Sequence, residues 1–193
     1  MKAKNQKVHI KEDRNNLAKR RIYSVIKWVL YAAILCFSYA FMMTPGLFEL
    51  GGVRPLIVLP MVICVAVFEG ELAGGIFAIF AGVLWSSGTT VFWGFHPLVL
   101  YICAVFCSVV TAIYLQENLP STMILAGVAI AMYLLASFFV NYAIWNYGNA
   151  GEIFRRSYIP TFFFTWAVTP IYYFMVKGIR MLIQRRSGSL WSE

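Results

Sequence analysis

Residues 53–88, VRPLIVLPMVICVAVFEGELAGGIFAIFAGVLWSSG, form two apolar runs parted only by Glu69, Gly70 and Glu71. A water-soluble domain does not surround so little polar sequence with so much continuous apolar sequence, so the stretch predicts two membrane spans joined by an acidic hairpin. The rest of the chain reads the same way. Its 193 residues are 61% hydrophobic and 12% charged, with a mean hydropathy of +0.72, against about 45–50% and about 25% in soluble domains. The expected class is all-α integral membrane protein, a polytopic bundle with short loops.

Charge supplies orientation. Of 16 basic residues, nine lie in 1–27 (Lys2, Lys4, Lys7, Lys11, Arg14, Lys19, Arg20, Arg21, Lys27) and four in 177–186 (Lys177, Arg180, Arg185, Arg186). A net charge of +8 raises nucleic acid as a partner, but clustering at the ends of apolar runs follows the positive-inside rule instead. Both termini are therefore expected in the cytoplasm, with an even number of spans and no nucleic-acid partner. The expected organisation is a basic tail over 1–21, a membrane domain over 22–183 and a second tail over 184–193. Anionic lipid attracts such a basic segment by about 1 kcal/mol per residue near the surface.

Six spans are expected. The first, Ser24–Met43, ends in Tyr39-Ala40-Phe41-Met42-Met43 rather than a small-x-small cleavage site, so it reads as a retained signal anchor. The second, Pro55–Phe68, is short and holds Pro60, which predicts a kink or a partly re-entrant helix. The others are Leu72–Trp85, Leu98–Leu115, Ser121–Ile144 and Tyr158–Ile179, the last kinked at Pro170. Trp85 and Trp93 are expected as interfacial anchors, His96 as a solvated cap, and all four cysteines as buried hydrophobes. Asn141 either needs a hydrogen-bond partner at membrane depth or stands at the outer interface beside Tyr142 and Trp145.

The sharpest pattern lies in the third span, where Gly70, Gly74, Ala78, Gly82 and Ser86 recur every four residues. On a helix that spacing makes a groove with almost no side chains, into which another helix can pack backbone to backbone. Glu69 and Glu71 are hairpin charges or an acidic docking point. Arg155 and Arg156, in an outer loop, run against the positive-inside bias and are candidate contacts for a partner or lipid, or solvated loop charges.

Catalytic chemistry finds little material. The acids lie in tails, loops and turns, and none is paired inside a span with a histidine, a lysine or a second acid, as an intramembrane relay or hydrolase needs. Ser86 and Ser87 lie near His96 in sequence but lack a third group to activate a serine. Cysteine and histidine spacing fits no metal site, and no glycine-rich phosphate loop occurs. The expectation is a non-enzyme without cofactor.

The stretch from Arg54 to about Gly94 resembles the MreD family of rod-shape-determining membrane proteins, in which a short proline-led span precedes a charged glycine turn and a helix with glycine every four residues. The later TFFFTWAVTPIYYFMVKGI resembles that family's final span. Members often carry an aspartate one turn after the last glycine, and this chain has Ser86 there. The resemblance implies a scaffold subunit of the bacterial cell-elongation and peptidoglycan-synthesis machinery in the cytoplasmic membrane. Its implied partners are MreC and, indirectly, MreB and wall-synthesis enzymes, with homo-oligomerisation open. MreD proteins are in turn similar in architecture to the S components of energy-coupling-factor vitamin transporters. That alternative requires a ligand pocket, for which Phe92, Trp93, Tyr142 and Trp145 could serve.

Overall fold

A helix with no polar face must be covered on every side, by protein or by lipid. The segment VLPMVICVAVFE forms such a helix, α2 (Val58–Glu69), and each of its residues from Val58 to Phe68 is buried within the protein. The computed structural model describes residues 2–44, 54–88, 94–114, 118–143 and 150–188, with side chains described between Arg21 and Gln184 except at 142, 143, 150 and 153. All of its elements are helical. Around α2 pack α3 (Glu71–Ser86), α4 (Phe95–Tyr114) and α5 (Leu119–Phe138), with α3 and α4 sharing the most extensive interface. α1 (Lys2–Met43) and α7 (Ile159–Gly188) complete the set, with a short α6 (Ala150–Ile153) before α7.

Local sequence accounts for the helix limits. No glycine or proline interrupts residues 2–43, so α1 extends from Lys2 through the basic segment rather than beginning near Ser24. Thr44 closes it by donating from both its backbone N–H and its hydroxyl to the Ala40 carbonyl, at 3.1 and 2.8 Å. Pro60 is the third residue of α2, where an N–H would have no partner inside the helix, so it needs no kink. Gly70 has φ +88 and ψ 174 and separates α2 from α3, a conformation nearly closed to other residues. α5 opens with Asn118 as N-cap and Pro120 in the first turn. α7 continues through Pro170.

Two helices carry π-helical turns at the same end of the bundle, Phe139–Ala143 after α5 and Phe154–Tyr158 before α7. In the first, Asn141 Nδ2 donates to the Ser137 carbonyl (2.8 Å) and lies 3.3 Å from Ser137 Oγ. Asn141 is half-buried and satisfied within its own helix.

Four helices are long and apolar enough to cross a membrane: Arg21–Met43, Phe95–Tyr114, Leu119–Asn141 and Phe154–Gln184. By length and composition these mark a membrane protein. The second and third expected spans are shorter helices, of 12 and 16 residues, rising about 18 and 24 Å against a hydrocarbon core of about 30 Å.

Leu35–Val176 forms one compact unit, in which hydrogen bonds tie the helices together. Ser38 Oγ and the Tyr172 hydroxyl are 2.7 Å apart, joining α1 to α7. The Leu56 N–H, at the entry to α2, donates to Thr165 Oγ1 of α7 at 3.0 Å, which supplies an acceptor to one of the donors a helix start leaves open. Trp166 Nε1 of α7 donates to the Met123 carbonyl of α5 at 2.9 Å. A second unit comprises α1 up to Ile34 and α7 from Lys177. In it Trp28 meets Tyr31 edge-on at 5.8 Å, and Lys27 Nζ lies 5.6 Å from the Trp28 ring.

Candidate functional site

The four-residue stripe of α3 meets two neighbours rather than one. A Cβ on Gly74 would overlap the Ala66 backbone of α2 and lie 2.8 Å from Ala66 Cβ. At Gly82 it would overlap Pro97, at the start of α4, and lie 2.9 Å from the His96 carbonyl carbon. Ala78 and Ser86 complete the buried side. Gly70 stands outside this contact: an added Cβ there meets nothing within 4 Å, and its glycine answers to backbone conformation. Gly75, off the stripe, is close too, its Cβ position 2.9 Å from the Tyr101 ring of α4.

The opposite face of α3 is apolar and exposed along Leu72, Ile76, Ile79, Phe80 and Val83. Spacings of four, three, one and three put these on one side of the helix. At the head of that face Glu71 is exposed, in the first turn of α3, where the helix dipole favours a carboxylate. Glu69 is half-buried at the last residue of α2, where the dipole disfavours negative charge by about 0.3–1 kcal/mol. Arg155 and Arg156 are exposed in the π-helical turn before α7.

His96 is not a solvated cap. α4 begins at Phe95, earlier than the expected Leu98, because Gly94 at φ +105 turns the chain and accepts the Leu98 N–H through its carbonyl at 3.2 Å. His96 therefore sits in the first turn and is buried, with Nδ1 2.8 Å from the Tyr133 hydroxyl of α5. Trp85 stacks on the imidazole at 4.9 Å and 3°. It is buried rather than an interfacial anchor. Ser86, beside it, has a buried hydroxyl with no hydrogen-bond partner among the described residues.

This cluster had no local signal, because Tyr133 is 37 residues from His96. Cys64, Cys103 and Cys107 are buried as expected, whereas Cys36 is exposed on α1. Residues Phe92, Trp93 and Trp145 of the alternative ligand pocket lie outside the described residues, and for Tyr142 only the backbone is described. Among the described residues no group of three histidines, cysteines or acids could hold a metal ion.

No protein-family model, curated protein or solved structure matches this chain.

Two experiments follow from this geometry. At Gly82 the loss of thermal stability in detergent should grow from Gly82→Ala to Gly82→Leu, reaching about 3 kcal/mol or more as the α3–α4 contact is forced apart. At Gly70 both replacements should cost about the same, roughly 1–3 kcal/mol, because the strain comes with any Cβ; costs that grow with side-chain size at Gly70 would show it to be a packing glycine. Separately, Tyr133→Phe should destabilise by about 1–3 kcal/mol by leaving His96 Nδ1 buried without its partner. Ser86→Ala should be neutral or stabilising, since it removes an unsatisfied buried hydroxyl; a large loss from Ser86→Ala would reveal a partner for that oxygen.

Proposed function

We propose that this chain is a non-enzymatic scaffold subunit of the bacterial cell-elongation machinery, of the MreD kind, acting in the cytoplasmic membrane. In this reading the short helices α2 and α3 cross with the four long ones to make six spans, and the basic ends face the cytoplasm. The helix α3 carries the argument. One of its sides is closed against the chain's own helices, while the other offers Leu72, Ile76, Ile79, Phe80 and Val83 in a continuous apolar strip. Glu69 and Glu71 lie beside that strip at one end.

A single-span partner with basic residues flanking its helix fits both features. Its apolar side chains would cover the strip, and its juxtamembrane cations would meet the acidic hairpin, as the positive-inside bias of such a helix allows. The carboxylate of Glu69 supports this, because it stands where its own helix disfavours negative charge. MreC is the partner that the resemblance implies, and wall-synthesis enzymes would follow through it.

Purification of the tagged protein from its native host in mild detergent tests this reading, with mass spectrometry of retained proteins and small molecules. MreC and wall-synthesis enzymes should co-purify without a stoichiometric small ligand. Recovery of a vitamin-like ligand with ATPase subunits would replace the scaffold with an S component. In the same assay Glu69→Gln with Glu71→Gln should lower MreC recovery severalfold while membrane insertion is unchanged. Undiminished recovery would return the two acids to plain hairpin charges.

A further inference from the structure

Thirteen of the 16 basic residues lie in the two terminal clusters, leaving Arg54, Arg155 and Arg156. Arg54 lines a cleft of about 190 Å³ between the entry to α2, the end of α5 and the start of α7, together with Ser137, Ser157, Tyr158 and Thr161. Arg155 and Arg156 immediately precede Ser157 on the π-helical turn that forms one wall. The other π-helical turn starts two residues after Ser137. Such turns break the regular backbone pattern and recur at functional sites.

The cleft continues along the membrane-crossing part of the bundle. Leu134 and Tyr158 also line a second cleft, of about 300 Å³, and Ala131, Phe162 and Phe163 carry that one into a third, of about 380 Å³. The last reaches Met123 and Trp166. The result is one groove in the seam between α5 and α7, polar and cationic at one end and apolar beyond. From Ser137 to Met123 it follows 14 residues of α5, about 21 Å, which exceeds the roughly 15 Å that one leaflet contributes to a 30 Å hydrocarbon core. Gly127 widens its far part, where a Cβ would stand 3.3 Å from Trp166 Nε1.

We propose that the α5–α7 seam is a binding site for one anionic phospholipid, its phosphate at Arg54 and one acyl chain along Leu134, Ala131 and Phe162. The polar end has the chemistry for this. Arginine presents a fork of N–H donors suited to phosphate oxygens. The Ser137 hydroxyl accepts from Asn141, which leaves its proton to donate. Thr161 spends its proton on the Ser157 carbonyl at 2.7 Å, so it shapes the cleft rather than binding the anion. Bilayer lipid is the occupant because the apolar part of the groove is lined by thirteen residues of helix surface that a free anion would leave uncovered. The site also accounts for Arg54, a cation that belongs to neither basic terminal cluster. It does not depend on the scaffold reading and would hold for any function of the chain.

The test uses the full-length protein in phosphatidylcholine vesicles containing a minor fraction of phosphatidylglycerol with a photoactivatable group in one acyl chain. After illumination, mass spectrometry locates the labelled peptides. Label should concentrate on α5 and α7 around Ala131, Phe162 and Phe163, above that on the exposed strip of α3. Arg54→Gln should reduce it about tenfold, equivalent to about 1.4 kcal/mol, and Ala131→Phe should remove it by filling the groove. Arg54 is exposed, so its replacement leaves the core intact even if Ala131→Phe does not fold. Equal labelling by phosphatidylcholine carrying the same chain, or label unchanged in Arg54→Gln, would reduce the seam to ordinary bilayer contact and overturn the proposal. Displacement of the label by inorganic phosphate would also overturn it, by making the polar end a site for the free anion.

Discussion

The burial of α2 is the constraint on which the unit from Leu35 to Val176 is built. Eleven consecutive residues, Val58 to Phe68, are covered by the protein itself, so helices must stand on every side of a rod about 10–12 Å across. This explains why α2 needs no length of its own. Its sides are covered by protein, and the helices long and apolar enough to cross a membrane by themselves are the four longer ones around it. It also explains the close fit of α3: a short helix packed on a short helix comes near enough only if glycine stands at the contact, as Gly74 does against Ala66.

Inside such a bundle apolar surface is interchangeable, and hydrogen bonds between helices decide rotation. Each of the pairs described above fixes one helix against another: Ser38 with Tyr172, Thr165 with the Leu56 N–H, Trp166 with the Met123 carbonyl, and His96 with Tyr133. A polar group held between helices loses its partner if its helix turns by a quarter, and burial makes that loss costly. Four such bonds leave α1, α2, α4, α5 and α7 little rotational choice. The Trp85 ring, stacked on His96, adds α3 to the same set.

Helix existence and class were legible in the chain because the apolar runs are long and their ends carry glycine, proline and charge. Limits were less so. Gly94 starts α4 about a turn early, and a helix begun at Leu98 leaves His96 outside it and turned to solvent. Composition reads Trp85 as an interfacial anchor, yet its neighbours in space are His96 and Tyr133, 11 and 48 residues away along the chain. The glycine repeat of α3 was visible, but not that Gly74 and Gly82 meet different helices, nor that Gly70 serves the backbone instead. The groove between α5 and α7 had no signature at all, since it arises where Gly127 and Ala131 are small and the facing residues of α7 are not.

The short third helix has a consequence for the membrane itself. In the six-span reading α3, a helix of about 24 Å, exposes its apolar strip from Leu72 to Val83 over about 17 Å, whereas the long helices match or exceed the thickness of the hydrocarbon layer. In that reading lipid along an uncovered α3 flank would compress to meet it, at a cost of fractions of a kcal/mol per ångström of mismatch. The protein would sit in an asymmetric dimple, with thin bilayer on one flank and full bilayer elsewhere. Relief of that compression is a force in its own right: two proteins that each thin the bilayer on one side are drawn together along their thin sides before any side chain touches.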